Sequence, residues 1–130
     1  MKFKIESDPI PLARARFGKK GFYLPTRSRQ YRELIQAAVQ AQLPENFSPF
    51  KDEIILRLKV YRKCKVGSRR FGDLDNHIKA VSDAVQTILF YDDAQVVKVE
   101  ASKNYSDRPR LEFEIKKAAI QDGVPSISFD

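Results

Sequence analysis

This sequence has one cysteine, Cys64, so no internal disulfide can form. With no second thiol and a single histidine, His77, it also lacks the ligands of a zinc site. Both absences fit a reducing, cytoplasmic setting. No apolar run approaches the roughly 20 residues needed to cross a bilayer. The opening Met1-Lys2-Phe3-Lys4-Ile5-Glu6 has no signal-peptide apolar region, so a soluble protein is expected. Internal repeats, low-complexity segments and basic amphipathic helices are absent too, which argues against a solenoid and against a membrane-surface anchor.

What is present is charge, unevenly placed. The chain has 130 residues, the size of one ordinary domain, and a formal net charge of +7. Residues 1–32 hold nine Lys or Arg against Glu6 and Asp8, a surplus equal to that of the whole chain. Arg14, Arg16, Lys19, Lys20 and Arg27 belong to this opening. A second cluster, Arg62, Lys63, Lys65, Arg69 and Arg70, comes later. Such clusters attract phosphate and make binding salt-dependent. The alternative is a solvated face that only keeps the protein soluble.

Directly after the second cluster come five aspartates within twenty-one residues: Asp73, Asp75, Asp83, Asp92 and Asp93. Crowded like charges cost free energy. The commonest reason for a fold to gather them is a divalent cation, and hard carboxylate oxygens select Mg2+ or Mn2+ over zinc. A basic body around an acidic pocket suits a metal-dependent enzyme acting on nucleic acid.

Periodicity places these residues on elements. Lys2 to Glu6 alternates and reads as a short strand. Residues 12–27 are basic, with Phe22 and Tyr23 among glycines, and read as a loop or loose hairpin whose rings could stack on bases. Arg27 to Gln42 has helical spacing at Tyr31, Leu34, Ile35, Ala38 and Val39, with Ser28 as N-cap. Glu53 to Tyr61 alternates as a strand with one face buried. A second helix is predicted from Asp75 to Leu89, striped by Leu74, Ile78, Val81, Val85 and Ile88. Strands follow at Val96 to Lys103 and at Leu111 to Ile115. The order strand-helix-strand-helix-strand-strand predicts an α+β fold, with two helices on one face of a mixed sheet of about four strands. Residues 1–117 are expected to form a single domain and 118–130 a C-terminal tail with no assigned order.

Asp75, Lys79 and Asp83 fall four apart and share one face of the second helix. Asp73 precedes that helix by two residues, and Asp92-Asp93 follow it. A helix of fifteen residues is about 22 Å long, so Asp93 meets Asp75 only if another element or a second subunit joins them. In the catalytic reading the aspartates hold the cation, and Lys79 sets a positive charge near the transition state or orients the attacking water. Each residue also has a plainer role. Asp73 or Asp75 could cap the helix; Lys79 could pair with Asp75 and Asp83; Asp92-Asp93 could form a turn. His77 and Cys64 read as structural, and Phe90 and Tyr91 as packing residues.

The run Asp73-Leu74-Asp75-Asn76-x-x-Lys79-x-x-x-Asp83-Ala84-Val85, closed by Asp92-Asp93-Ala94-Gln95-Val96, resembles the RusA family of Holliday junction resolvases. Pro11, Arg14, Arg16, Tyr23, Pro25 and Tyr31 are similar to that family's Pro- and Arg-rich opening. The resemblance covers most of residues 3–117. It implies a homodimeric endodeoxyribonuclease that cuts four-way DNA junctions with Mg2+ or Mn2+ in recombination and repair. By position it implies Asp73, Asp75 and Asp93 as metal-binding carboxylates, Lys79 as the catalytic lysine, and Asp83 and Asp92 as supporting acids. It also points to a phage or prophage origin. Two positions depart: Gly72 stands where the family often has proline, and Thr87 where it often has glycine. Thr87 predicts a longer helix or a different exit from it. The competing readings are a non-catalytic nucleic-acid-binding module and a nuclease acting on other branched DNA.

Overall fold

Alternation of apolar and polar residues, and apolar spacing of three and four, account for most of the elements. The structure, a computed structural model, describes residues 1–126. Strand β1 (Lys2–Ile5) leads into an extended strap and a small hairpin, β2 (Arg16–Gly18) and β3 (Gly21–Tyr23). Helix α1 (Thr26–Gln42) is followed by β4 (Ile54–Arg62), α2 (Leu74–Val85), β5 (Val96–Tyr105) and β6 (Arg110–Lys117). A second hairpin, β7 (Ala119–Gln121) and β8 (Val124–Ser126), ends the described chain. The expected tail is therefore a hairpin up to Ser126, and its remainder, 127–130, lies outside the described residues.

The sheet runs β1-β6-β4-β5. Strand β6 is antiparallel to both β1 and β4, whereas β5 lies parallel to β4. A parallel pair needs a crossover, and α2 supplies it. On the inner face the register sets Leu56 opposite Ile115, Leu58 opposite Phe113 and Val60 opposite Leu111. Phe3 stacks on Phe113 with ring centroids 5.0 Å apart. Helix α1 closes this face with Tyr31, Ile35 and Val39, and α2 with Ala80, Val81, Ala84 and Val85, all buried. Each fully buried aliphatic side chain contributes about 1.5–3 kcal/mol, so this layer holds the fold together. The outer face carries opposite charges across strands, Arg57 with Glu114 and Lys59 with Glu112 in register, an arrangement that favours pairing. No helix among the described residues is long and apolar enough to cross a membrane.

Two local expectations are corrected and one open choice is decided. Pro25, not Ser28, occupies the N-cap of α1; Ser28 is buried one turn in, where its Oγ accepts from the Ala13 N–H at 3.2 Å. Of the two readings of the basic opening, loop or hairpin, residues 16–23 take the hairpin. Helix α2 stops at Val85, four residues early, because Leu89 and Phe90 are drawn into the core, both 0% exposed.

Candidate active site

The entry to α2 is built by residues far apart in sequence. The Arg62 guanidinium donates from Nη1 to the carbonyls of Arg70 (2.8 Å) and Phe71 (2.9 Å). Its Nε and Nη2 donate to Asp8 at 3.1 and 3.2 Å. This cation of the second basic cluster therefore ties the loop to the strap. His77 is buried, with Nε2 2.6 Å from the Phe71 carbonyl. A carbonyl only accepts, so Nε2 carries the proton. Burial holds the imidazole pKa below its ordinary value, with the Phe71 hydrogen bond opposing. The expected structural role of His77 is the one seen. Gly72 has φ +86, and a Cβ there would lie 2.7 Å from Pro11. Glycine thus serves both the backbone turn and the close approach of the strap. Behind it, the Leu12 N–H donates to the Asn76 carbonyl at 3.0 Å.

This scaffold presents Asp73, Asp75 and Lys79 to solvent. Asp73 stands at the N-cap position, yet its side chain makes no capping hydrogen bond. Asp75 lies in the first turn. No ion pair within 4 Å joins Lys79 to Asp75 or Asp83 among the described residues. Among the described residues, then, neither a capping hydrogen bond nor a close ion pair engages these three side chains.

The exit from α2 is just as specific. Thr87 takes φ 73, the left-handed conformation that glycine adopts at no cost. The helix leaves as a glycine would have it leave, not by the longer or different route predicted from Thr87. The Thr87 N–H bonds the Phe90 carbonyl at 2.6 Å, and the Phe50 N–H bonds the Leu89 carbonyl at 2.8 Å. Beyond the turn, Asp92 Oδ1 accepts from the Ala94 N–H at 2.9 Å, and Gln95 completes a capping box. Gln95 Oε1 accepts from the N–H groups of Tyr91 (2.8 Å) and Asp92 (2.9 Å). Its Nε2 donates to the carbonyls of Phe50 (2.8 Å) and Asp52 (2.9 Å). Asp92 thus takes the turn-forming role, and its neighbour is swung back against α2, where Asp93 Oδ1 accepts from Ser82 Oγ at 3.2 Å.

Asp83 sits beside this point, on the wall of a cleft of about 180 Å³ that also includes Tyr31 and Arg32. Its carboxyl pKa is raised, first by partial burial and then by the charge of Asp93; Lys79 and Arg32 oppose. Asp83 and Asp93 thus interact at the end of α2, while Asp73 and Asp75 stand two residues apart in sequence at its start. Asp75 and Asp83 are eight residues apart, about 12 Å along the axis. Among the described residues no group of three or more possible metal ligands converges within one chain. The donors are hard oxygens of the kind that suits Mg2+ or Mn2+.

Arg14, Arg16, Lys19, Lys20, Arg27, Arg69 and Arg70 are all exposed. The sequence reading missed Ser82 and Gln95, which position Asp93, and the tie made by Arg62. Only Gln95 left a trace: Asp92-x-x-Gln95 has the spacing of a capping box.

Two comparisons with known proteins bear on the family of this chain. An uncharacterized protein of Bacillus subtilis (strain 168), YqaN, is 27% identical over 140 residues, which cover 92% of this chain and 97% of its own. The family model described as Endodeoxyribonuclease RusA matches residues 6–116, from the strap carrying Asp8 through α2 and the Asp92-Asp93 turn to the last strand of the sheet. The chain belongs to the RusA family of endodeoxyribonucleases.

Proposed function

We propose that this chain resolves four-way DNA junctions by hydrolysing one phosphodiester per subunit of a homodimer, in DNA recombination and repair. The observation that carries the reading is the state of Asp73, Asp75 and Lys79. All three are exposed along the N-cap and first half of α2, and among the described residues neither a capping hydrogen bond nor a close ion pair engages them. Family membership supplies the class of reaction.

In this reading Asp73, Asp75 and Asp93 hold a Mg2+ or Mn2+ ion, with Asp83 and Asp92 as supporting acids. When bound, such a cation polarises the phosphoryl oxygen and stabilises the leaving 3′ oxygen. Lys79 sets its ammonium beside the phosphate and offsets the charge that develops there. Ser82 and the Gln95 clamp orient Asp93, and the exposed cations of the opening and of residues 69–70 hold the DNA arms. The separation of Asp73 and Asp75 at the start of α2 from Asp83 and Asp93 at its end supports the homodimer. A second copy that brings its Asp83 and Asp93 toward the first copy's Asp73 and Asp75 completes the set, and two-fold symmetry then yields paired nicks.

The test is cleavage of a synthetic four-way junction with Mg2+, with EDTA, and with Asp75→Asn. Asp75→Asn is expected to abolish cutting and to leave junction binding equal or tighter, because it removes a negative charge near phosphate. Normal cutting by this variant would refute the assignment. Running fork, flap and duplex substrates alongside separates a junction resolvase from a nuclease of other branched DNA.

A further inference from the structure

Hairpin β2–β3 carries aromatic side chains that the core does not use. Phe17 and Phe22 stand opposite each other in register. Their rings meet edge to face at 5.3 Å, and they are 77% and 79% exposed. On the other face Tyr23, half exposed, lies over Gly18, where a Cβ would come within 3.0 Å of its ring. A single exposed apolar residue is ordinary, but a paired patch at the tip of a projecting hairpin marks a surface that a partner covers.

The charge around it selects the partner. Seven cations and no carboxylate lie between Asp8 and Glu33, and Lys19-Lys20 form the turn of the hairpin itself. A second copy of this chain would bring the same positive field to the contact. A lipid surface calls for a larger apolar face than two rings, carried on an amphipathic helix. Nucleic acid offers the complement, phosphates for the cations and flat π-faces for the rings. In intact duplex those faces are covered by neighbouring pairs; at a branch point or in a single strand they are not.

We infer that β2–β3 is a stacking element that engages unstacked bases at the branch point, with Phe17 and Phe22 against the bases and Arg16, Lys19 and Lys20 on the flanking phosphates. The inference rests on the DNA-nuclease reading and deepens it. Its placement follows from the strap. The Leu12 N–H bonds the Asn76 carbonyl at 3.0 Å, and the Ala13 N–H bonds Ser28 Oγ at 3.2 Å. The hairpin is thus anchored to the end of α2 that carries Asp73 and Asp75, and it contributes the preference for branched over fully paired DNA.

The test is binding by the full chain, in EDTA so that cleavage plays no part, to a four-way junction, a single-stranded oligonucleotide and a duplex. Phe17→Ala with Phe22→Ala is expected to weaken binding to the first two by about tenfold or more, and to change duplex binding by less than about twofold. The slope of affinity against salt should stay as it was, since no charge is removed. Phe17→Trp with Phe22→Trp should restore affinity. Undiminished binding, an equal loss on all three probes, a change in the oligomeric mass of the double variant, or ring-dependent binding to anionic vesicles in place of DNA would overturn the inference. A protein that shows the expected preference in EDTA but never cuts with Mg2+ defeats only the nuclease reading.

Discussion

Removing the Gln95 clamp tests how the fold delivers Asp93. The Gln95 side chain makes four hydrogen bonds of 2.8–2.9 Å, two accepted from Tyr91 and Asp92 and two donated to Phe50 and Asp52. A net hydrogen bond contributes about 0.5–1.5 kcal/mol. Water can replace the partners of the exposed N–H groups, while the half-buried Phe50 carbonyl loses more. Gln95→Leu should therefore cost about 2–3 kcal/mol. For a chain of this size that lowers the thermal midpoint by roughly 10 °C. Gln95→Glu keeps both acceptor contacts but turns an anionic oxygen toward the Phe50 and Asp52 carbonyls, so its midpoint should also fall below the parent's. The second readout is cleavage of a four-way junction with Mg2+, well below the variant's midpoint. Gln95→Leu should cut at least about tenfold more slowly, because misplacing a reacting group by an ångström costs up to about a hundredfold. Thermal unfolding followed by circular dichroism supplies the first measurement. A Gln95→Leu or Gln95→Glu midpoint within about 2 °C of the parent would refute the reasoning.

Two further expectations concern the exit of α2 and the basic opening. Thr87 holds φ 73, which costs an L-residue roughly 1–2 kcal/mol, part of which glycine gives back in unfolded-state entropy. Thr87→Gly should raise unfolding stability by about 0.5–1 kcal/mol, and a lowered denaturant midpoint at unchanged slope would count against a strained exit. Arg14→Ala with Arg16→Ala should weaken junction binding and make its log–log salt dependence shallower by about one to two, one for each phosphate contact removed. An unaltered slope would show that these two side chains do not meet the backbone of the DNA.

Much of the architecture was legible because it is local. The alternation through β4 and β6 and the apolar spacing of α1 are written in neighbouring residues, and burial follows that pattern except at Ile55 and Glu114, which are buried out of phase with it. The segregation of cations from aspartates is likewise a property of composition along the chain. These features, with the Asp-Leu-Asp-Asn and Asp-Asp-x-Gln runs, determined the fold class, the chemistry of the candidate site and the family resemblance that the family match supports.

Tertiary contacts decided the rest. Helical periodicity extends to Ile88, but burial of Leu89 and Phe90 ends α2 at Val85 and forces Thr87 into a conformation its own propensity disfavours. Ser28 has the composition of a cap, and the strap packed against α1 draws its hydroxyl inward. Nor does local spacing show that Gln95 binds a carbonyl 45 residues away, or that Ser82 receives Asp93. Residue type and short-range periodicity determined which groups were available. Only the closing of distant segments onto one core decided where they meet, because that depends on contacts no local window contains.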